Sequence, residues 1–231
     1  MQHILCKQEI FLYKYAMEGR VILNRLEEFI SIVNSKLGTG YVFGGQSDQP
    51  LTREVLDALV KSYGRAHYYF SNYSAERWLG MQYYDCSGLV VYTLTKMGLI
   101  QRGNDYSPQS LYTELCSPIQ RSELRPGDQC FKKTSTGIVH VGVYMGNNRV
   151  THARGTYYGV VNSIMFPSFN TFGRLKYFED FEPETKATIE KSQEKTTVST
   201  STYEQTSVQS AVNTTIEKGS IINIEGKTDN G

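Results

Sequence analysis

The chain has 231 residues, enough for one large domain or for an ordinary domain with appendages, since single cores fill at roughly 100 to 200 residues. With 24 Lys and Arg against 23 Asp and Glu, the formal charge of +1 excludes a general field that would attract nucleic acid or an anionic membrane surface. Aromatic residues are 12% of the chain, with 17 Tyr, 10 Phe and one Trp, ample for a packed core and for lining a polar groove.

The N-terminal stretch from Met1 to Tyr15 interleaves Lys7, Glu9 and Lys14 with apolar residues and lacks the continuous apolar run and small-residue cleavage site of a secretory signal. No stretch approaches the roughly 20 apolar residues that a membrane span needs. The expectation is a chain without membrane insertion, cytoplasmic until released or delivered by another route. Cys6, Cys86, Cys116 and Cys130 contain no CxxC pair, so zinc-knuckle and dithiol chemistry are not indicated, and free thiols are expected rather than a disulfide framework.

From Glu18 to Leu37, apolar residues including Ile22, Leu26, Phe29, Ile30 and Val33 recur at intervals of three and four, predicting an amphipathic helix ended by Gly38. Tyr41-Val42-Phe43-Gly44-Gly45 follows as a short extended run whose two glycines allow a close backbone approach. Residues 46–83 read as an ordered insertion. It has a helix from Thr52 to Tyr63 and an aromatic group, Tyr68 to Phe70 with Trp78, expected to form its core.

After Cys86, the positions Leu89, Val90, Leu94 and Met97 fit a second amphipathic helix stopped by Gly98, with Cys86 at its N-terminus. Arg125-Pro126-Gly127-Asp128 is a turn signal before a strand at Gln129 to Phe131. Val139, Val141, Val143 and Met145 then alternate with His140, Gly142 and Tyr144, and Gly146-Asn147-Asn148-Arg149 turns the chain into a second strand carrying His152. Domain boundaries follow: residues 1–181 form the main domain, 182–218 a Thr, Ser, Glu and Lys-rich linker, and 219–231 the start of a further module or a tail.

A thiol that cleaves peptides needs an imidazole to take its proton, a third group to orient that imidazole, and donors for the oxyanion. Cys86 at a helix N-terminus, with an imidazolium beside it, is expected to have its pKa lowered from about 8.5 toward as little as roughly 3.5, hence to be mostly ionised at neutral pH. His140 lies opposite the valines and is expected to point toward the helix of Cys86, with His152 as its orienter. A regular two-residue turn at Asn147-Asn148 would send the two rings to opposite faces. The pairing therefore requires an irregularity near Gly146 to Arg149.

Tyr41-Val42-Phe43-Gly44-Gly45, Asp85-Cys86-Ser87-Gly88, Arg125-Pro126-Gly127-Asp128, His140-Val141-Gly142-Val143-Tyr144 and Val150-Thr151-His152-Ala153 together resemble, in order, the signature blocks of NlpC/P60 cell-wall peptidases. The resemblance spans residues 41–178. It implies a papain-like α+β fold, with N-terminal helices packed on a central antiparallel sheet, and cleavage of peptidoglycan stems near a D-γ-glutamyl bond to a diamino acid. It also implies Cys86 as nucleophile, His140 as base, His152 as third member and Tyr41 beside the oxyanion site, with Asp85 and Ser87 recognising a free stem amine.

Neither a metal nor a cofactor is called for, and the expected partner is peptidoglycan met by a monomer. The polar tail and the absence of a leader resemble phage or prophage endolysins. The long insertion departs from many relatives. Two other readings stay open: an N-acetylmuramoyl-L-alanine amidase or acyltransferase on the same Cys/His site, and an inactive wall-binding module. Tyr41 equally fits a core aromatic, and Asp85 a plain helix cap.

Overall fold

The computed structural model describes residues 7–179. The expected linker and terminal module, and Cys6, lie outside them. Helix α1 runs Lys7–Asn34, beginning a few turns earlier than the apolar repeat alone indicates. It buries Leu26, Phe29 and Val33, whereas Leu37, past its end, is exposed. Two short strands, β1 (Gly40–Tyr41) and β2 (Gln46–Ser47), precede helix α2 (Arg53–Tyr63), and β3 (Tyr83–Tyr84) leads into helix α3 (Cys86–Lys96). The α2 boundary follows from its cap, since Thr52 in extended geometry accepts from the Val55 N–H.

The main sheet comes from β4 (Cys116–Ile119), β5 (Gln129–Thr134), β6 (Gly137–Gly146), β7 (Arg149–Gly155), β8 (Gly159–Ile164) and β9 (Thr171–Leu175). Its order is β4-β9-β5-β6-β7-β8, with every neighbouring pair antiparallel. One face of the sheet carries Phe131, Val141, Val143 and Ala153 and packs against Leu89, Val90 and Leu94 of α3 and Phe29 and Val33 of α1. The other face carries Cys130 and Val150 and is covered by Met165, Phe169 and Phe172. This is the α+β arrangement expected from the sequence: helices on one face of an antiparallel sheet, and a helix that starts at Cys86.

Residues 46–83 are ordered and have their own small core of Leu51, Leu56, Tyr68, Ala75, Trp78 and Tyr83 with Val42. Phe70, expected in that core, is instead exposed and stacked on Tyr73. The insertion is joined to the sheet by Trp78, whose Nε1 donates to Thr156 O at 2.7 Å. Its ring lies where a Cβ on Gly40 or Gly159 would be. Asp128, almost fully buried, is met by the Arg174 guanidinium at 2.9 and 3.0 Å, tying the start of β5 to β9.

Candidate functional site

Asp85 caps α3: its Oδ1 accepts from the Gly88 N–H at 2.6 Å and from Ser87 Oγ at 3.2 Å. Its Oδ2 accepts from the Gly44 N–H at 2.9 Å, and the Asp85 N–H donates to Gly45 O at 2.7 Å. The two glycines thus do what their lack of a side chain suggests, letting the loop after β1 press on the first turn of α3. The reciprocal constraint falls on Gly88, where a Cβ would collide with Gly45 O. Both Asp85 oxygens thus hold the loop and the first turn of α3 together, and the carboxylate keeps acceptor capacity beyond these three donors.

Parallel pairing of β1 with β3, Tyr41 opposite Tyr84, brings Tyr41 beside Asp85 and Cys86. Burial first, then the neighbouring Cys86 and Asp85, raise the Tyr41 pKa far above its ordinary value, so its hydroxyl stays protonated. Cys86 is itself buried, and its thiol is not ionised at rest. Burial, followed by the Asp85 carboxylate, pushes its pKa up to about 12, against the pull of the Val141, Ser87 and Cys86 backbone N–H groups toward the thiolate. The expectation of a resting thiolate is corrected here, because helix-end N–H groups do not outweigh the loss of water around the sulfur.

The hairpin of β6 and β7 has the irregularity that the histidines require. Asn147 and Asn148 take φ of 49° and 56°, the left-handed pair of a type I′ turn, and Gly146 precedes them at 84°. Tyr144 pairs with Val150 but Gly146 with Arg149, so Met145 is an extra residue and the register shifts by one. His140 and His152 therefore share a face, with His140 Nε2 and His152 Nδ1 2.8 Å apart. Gly142 leaves the room, since a Cβ there would run into Val150 Cγ1 and stand 2.9 Å from His152 Cβ.

Two details of the alternation differ from expectation. A second bulge, with Val139 as the extra residue of β6 opposite the step from Lys132 to Lys133 on β5, leaves Val139 exposed and puts Ile138 on the core face in its stead. The histidines also face away from α3, whose partners are the valines, and pack instead against Phe166 and Phe169. Pairing of β6 with β7 begins only at Val143 and Thr151, and the Cys86 sulfur is served by the N–H of Val141, the residue next to His140.

Ser163 on β8 joins the site without having been signalled by the sequence, because only the pairing of β7 with β8 brings it to His152. Its Oγ is 3.1 Å from His152 Nε2 and donates to Ile164 O at 3.1 Å. With the Ser163 hydroxyl donating to that carbonyl, its oxygen receives from His152 Nε2–H. Neutral His152 then accepts at Nδ1, His140 donates from Nε2, and His140 Nδ1 is left bare. Burial foremost, then Lys132, lowers the His140 pKa to about 4, and burial, His140 and Arg154 lower that of His152 to about 3, so both rings rest neutral.

The NlpC/P60 family profile matches residues 38–171, which contain Tyr41, Asp85, Cys86, Ser87, His140, His152 and Ser163. The chain belongs to the NlpC/P60 family. Over 81 residues this NlpC/P60 chain is 38% identical to the probable endopeptidase NlpC of Escherichia coli, covering 34% of this chain and 50% of that protein. Over 83 residues it is 42% identical to the murein DD-endopeptidase MepS/murein LD-carboxypeptidase of the same organism, covering 35% and 41%. With the probable endopeptidase p60 of Listeria grayi the identity is 33% over 75 residues, 32% of this chain and 14% of that protein. The chain thus spans half or less of the length of these curated relatives. Among solved structures, the P60 domain of an M. avium subspecies paratuberculosis antigen matches at 23% identity and TM-score 0.48, covering 68% of this chain and 96% of that one. Among the described residues no helix is long and apolar enough to cross a membrane.

Proposed function

We propose that this NlpC/P60 domain is a monomeric thiol endopeptidase that cuts the peptide stems of bacterial peptidoglycan, between a D-γ-glutamyl residue and a diamino acid, through an acyl-enzyme on Cys86. The observation that carries the reading is the contact of His140 Nε2 with His152 Nδ1 at 2.8 Å, which leaves His140 Nδ1 as the nitrogen outside the pair. Nδ1 is the ring nitrogen nearer its own main chain, and the next N–H along that chain, that of Val141, serves the sulfur.

In this reading the resting site is a neutral thiol beside a neutral imidazole, and charge appears only on reaction. As Cys86 Sγ attacks the scissile carbonyl carbon, its proton passes to His140 Nδ1, and His152 Nδ1 accepts from the imidazolium. The oxyanion takes hydrogen bonds from the Tyr41 hydroxyl and the first N–H groups of α3. Collapse of the tetrahedral intermediate breaks the C–N bond while His140 returns its proton to the leaving amine. Water, deprotonated by the same imidazole, then hydrolyses the thioester and frees the thiol. Asp85 and Ser87 hold the first turn of α3 in place throughout.

The test is digestion of purified walls by wild type and Cys86→Ala, with mass spectrometry of the released peptides. New stem termini are expected from wild type, and a loss on the order of a thousandfold or more from the variant. Lysis undiminished in Cys86→Ala would remove Cys86 as nucleophile, and release of whole stems from glycan would make the enzyme an amidase.

A further inference from the structure

A cavity of about 380 Å³ opens on the histidine face of the sheet, bounded by Lys132, His140, His152, Arg154, Phe166 and Phe169. Lys132 stands directly across the β5–β6 ladder from His140, and Arg154 follows His152 by two positions on β7, so the cavity has a cation beside each ring. Among the described residues neither Lys132 nor Arg154 is paired with an acidic side chain. The Arg154 guanidinium is held against aromatic faces, 3.8 Å from the Tyr158 ring centre and 4.9 Å from that of Phe166. Such stacking limits its rotamers while leaving its N–H edge free to donate.

We infer that this cavity receives a carboxylate of the stem peptide, held between Lys132 and Arg154, and that the domain therefore selects stems with free acids over stems in which those acids are amidated. The inference rests on the endopeptidase reading above. A glutamate joined through its γ-carboxyl keeps its α-carboxyl free, and the diamino acid bears another, so the substrate brings anions to within a residue or two of the scissile bond. Two cations on a surface are ordinarily just solvated. These two share one concave site with the proposed base, have no acidic partner among the described residues, and include one guanidinium already oriented. Amidation removes the charge and replaces acceptor lone pairs by N–H donors, which cations cannot use.

The experiment compares synthetic stem peptides that differ only in a free or amidated α-carboxyl on D-glutamate, and a second pair differing at the diamino acid carboxyl. Wild type is expected to favour one free acid roughly tenfold in kcat/KM, mostly through KM, with the preference shrinking as salt is raised. In the Lys132→Gln/Arg154→Gln double variant the acid-to-amide ratio is expected to fall toward one. Equal rates on acid and amide by wild type would overturn the inference. So would parallel losses on both substrates in the double variant, which would mean that the cations act on the imidazoles alone. Failure of wild type to cleave any stem would instead sink the endopeptidase reading. Calorimetric titration of Cys86→Ala with the same peptides then decides the cavity: tighter binding of an acid supports it, and equal binding overturns it.

Discussion

Ile164 O stands at the far end of the proton path from His140, and a peptide carbonyl has no proton to give. It is linked to His140 through Ser163 and His152, and with the Ser163 hydroxyl turned to it each ring carries its hydrogen on Nε2. Replacing Ser163 by Ala leaves His152 Nε2 without its acceptor and frees the other tautomer, which would leave His140 Nδ1 protonated. Steady-state kinetics of Ser163→Ala are expected to show kcat reduced by about tenfold with KM little changed, and a shift in KM alone would deny the residue this positioning role. The buried rings also govern response to acid. Both are held below the ordinary value near 6.5, so under that pH the unfolded chain takes up protons that the folded one refuses, and stability falls as pH drops from 6.5 toward 4. Thermal melts across that window are expected to show a falling Tm in wild type and a flatter profile in His152→Asn. The contact of His140 with His152 was readable from residue type and strand parity. Their protonation was not, because it depends on how much water each group loses, and no spacing rule reports that.

The hairpin of β6 and β7 shows how a single extra residue decides chemistry at the level of the element. Strand parity alone was enough to require an irregular turn between His140 and His152, since a side-chain period of two makes facing a question of odd or even. Met145 supplies the odd residue. The same logic failed at the other end of β6, where the bulge at Val139 depends on how the strand pairs with β5. Gly142 sits between these irregularities with no space for a side chain. Gly142→Ala is expected to push His152 off His140, lowering activity by about a hundredfold and stability by about 1–3 kcal/mol, as measured by turnover and urea titration. Full activity in that variant would show that the rings do not need their present contact.

At the scale of the whole domain, the helices, the insertion and the central hairpin were legible because each carries a local period or cap. Thr52 and Asp85 mark helix starts, and Gly98 at φ of 68° marks an end. Strands β4, β8 and β9 were not legible. Their residues, such as Ser117, Asn162 and Arg174, are polar or charged; β4 and β9 become strand by pairing with each other across dozens of positions, and β8 by pairing with its neighbour β7. The insertion is a separate small core that meets the sheet at Trp78, the sole tryptophan of the chain. That seam therefore carries its own optical label. Intrinsic emission selectively excited from the indole reports whether residues 46–83 are seated on the sheet, while far-ultraviolet circular dichroism reports the helices and strands. Because the indole N–H is anchored to Thr156 O on the far side of the seam, the two signals are expected to change together on denaturation, and an earlier red shift of the emission would reveal an insertion that lifts off while the rest stays folded.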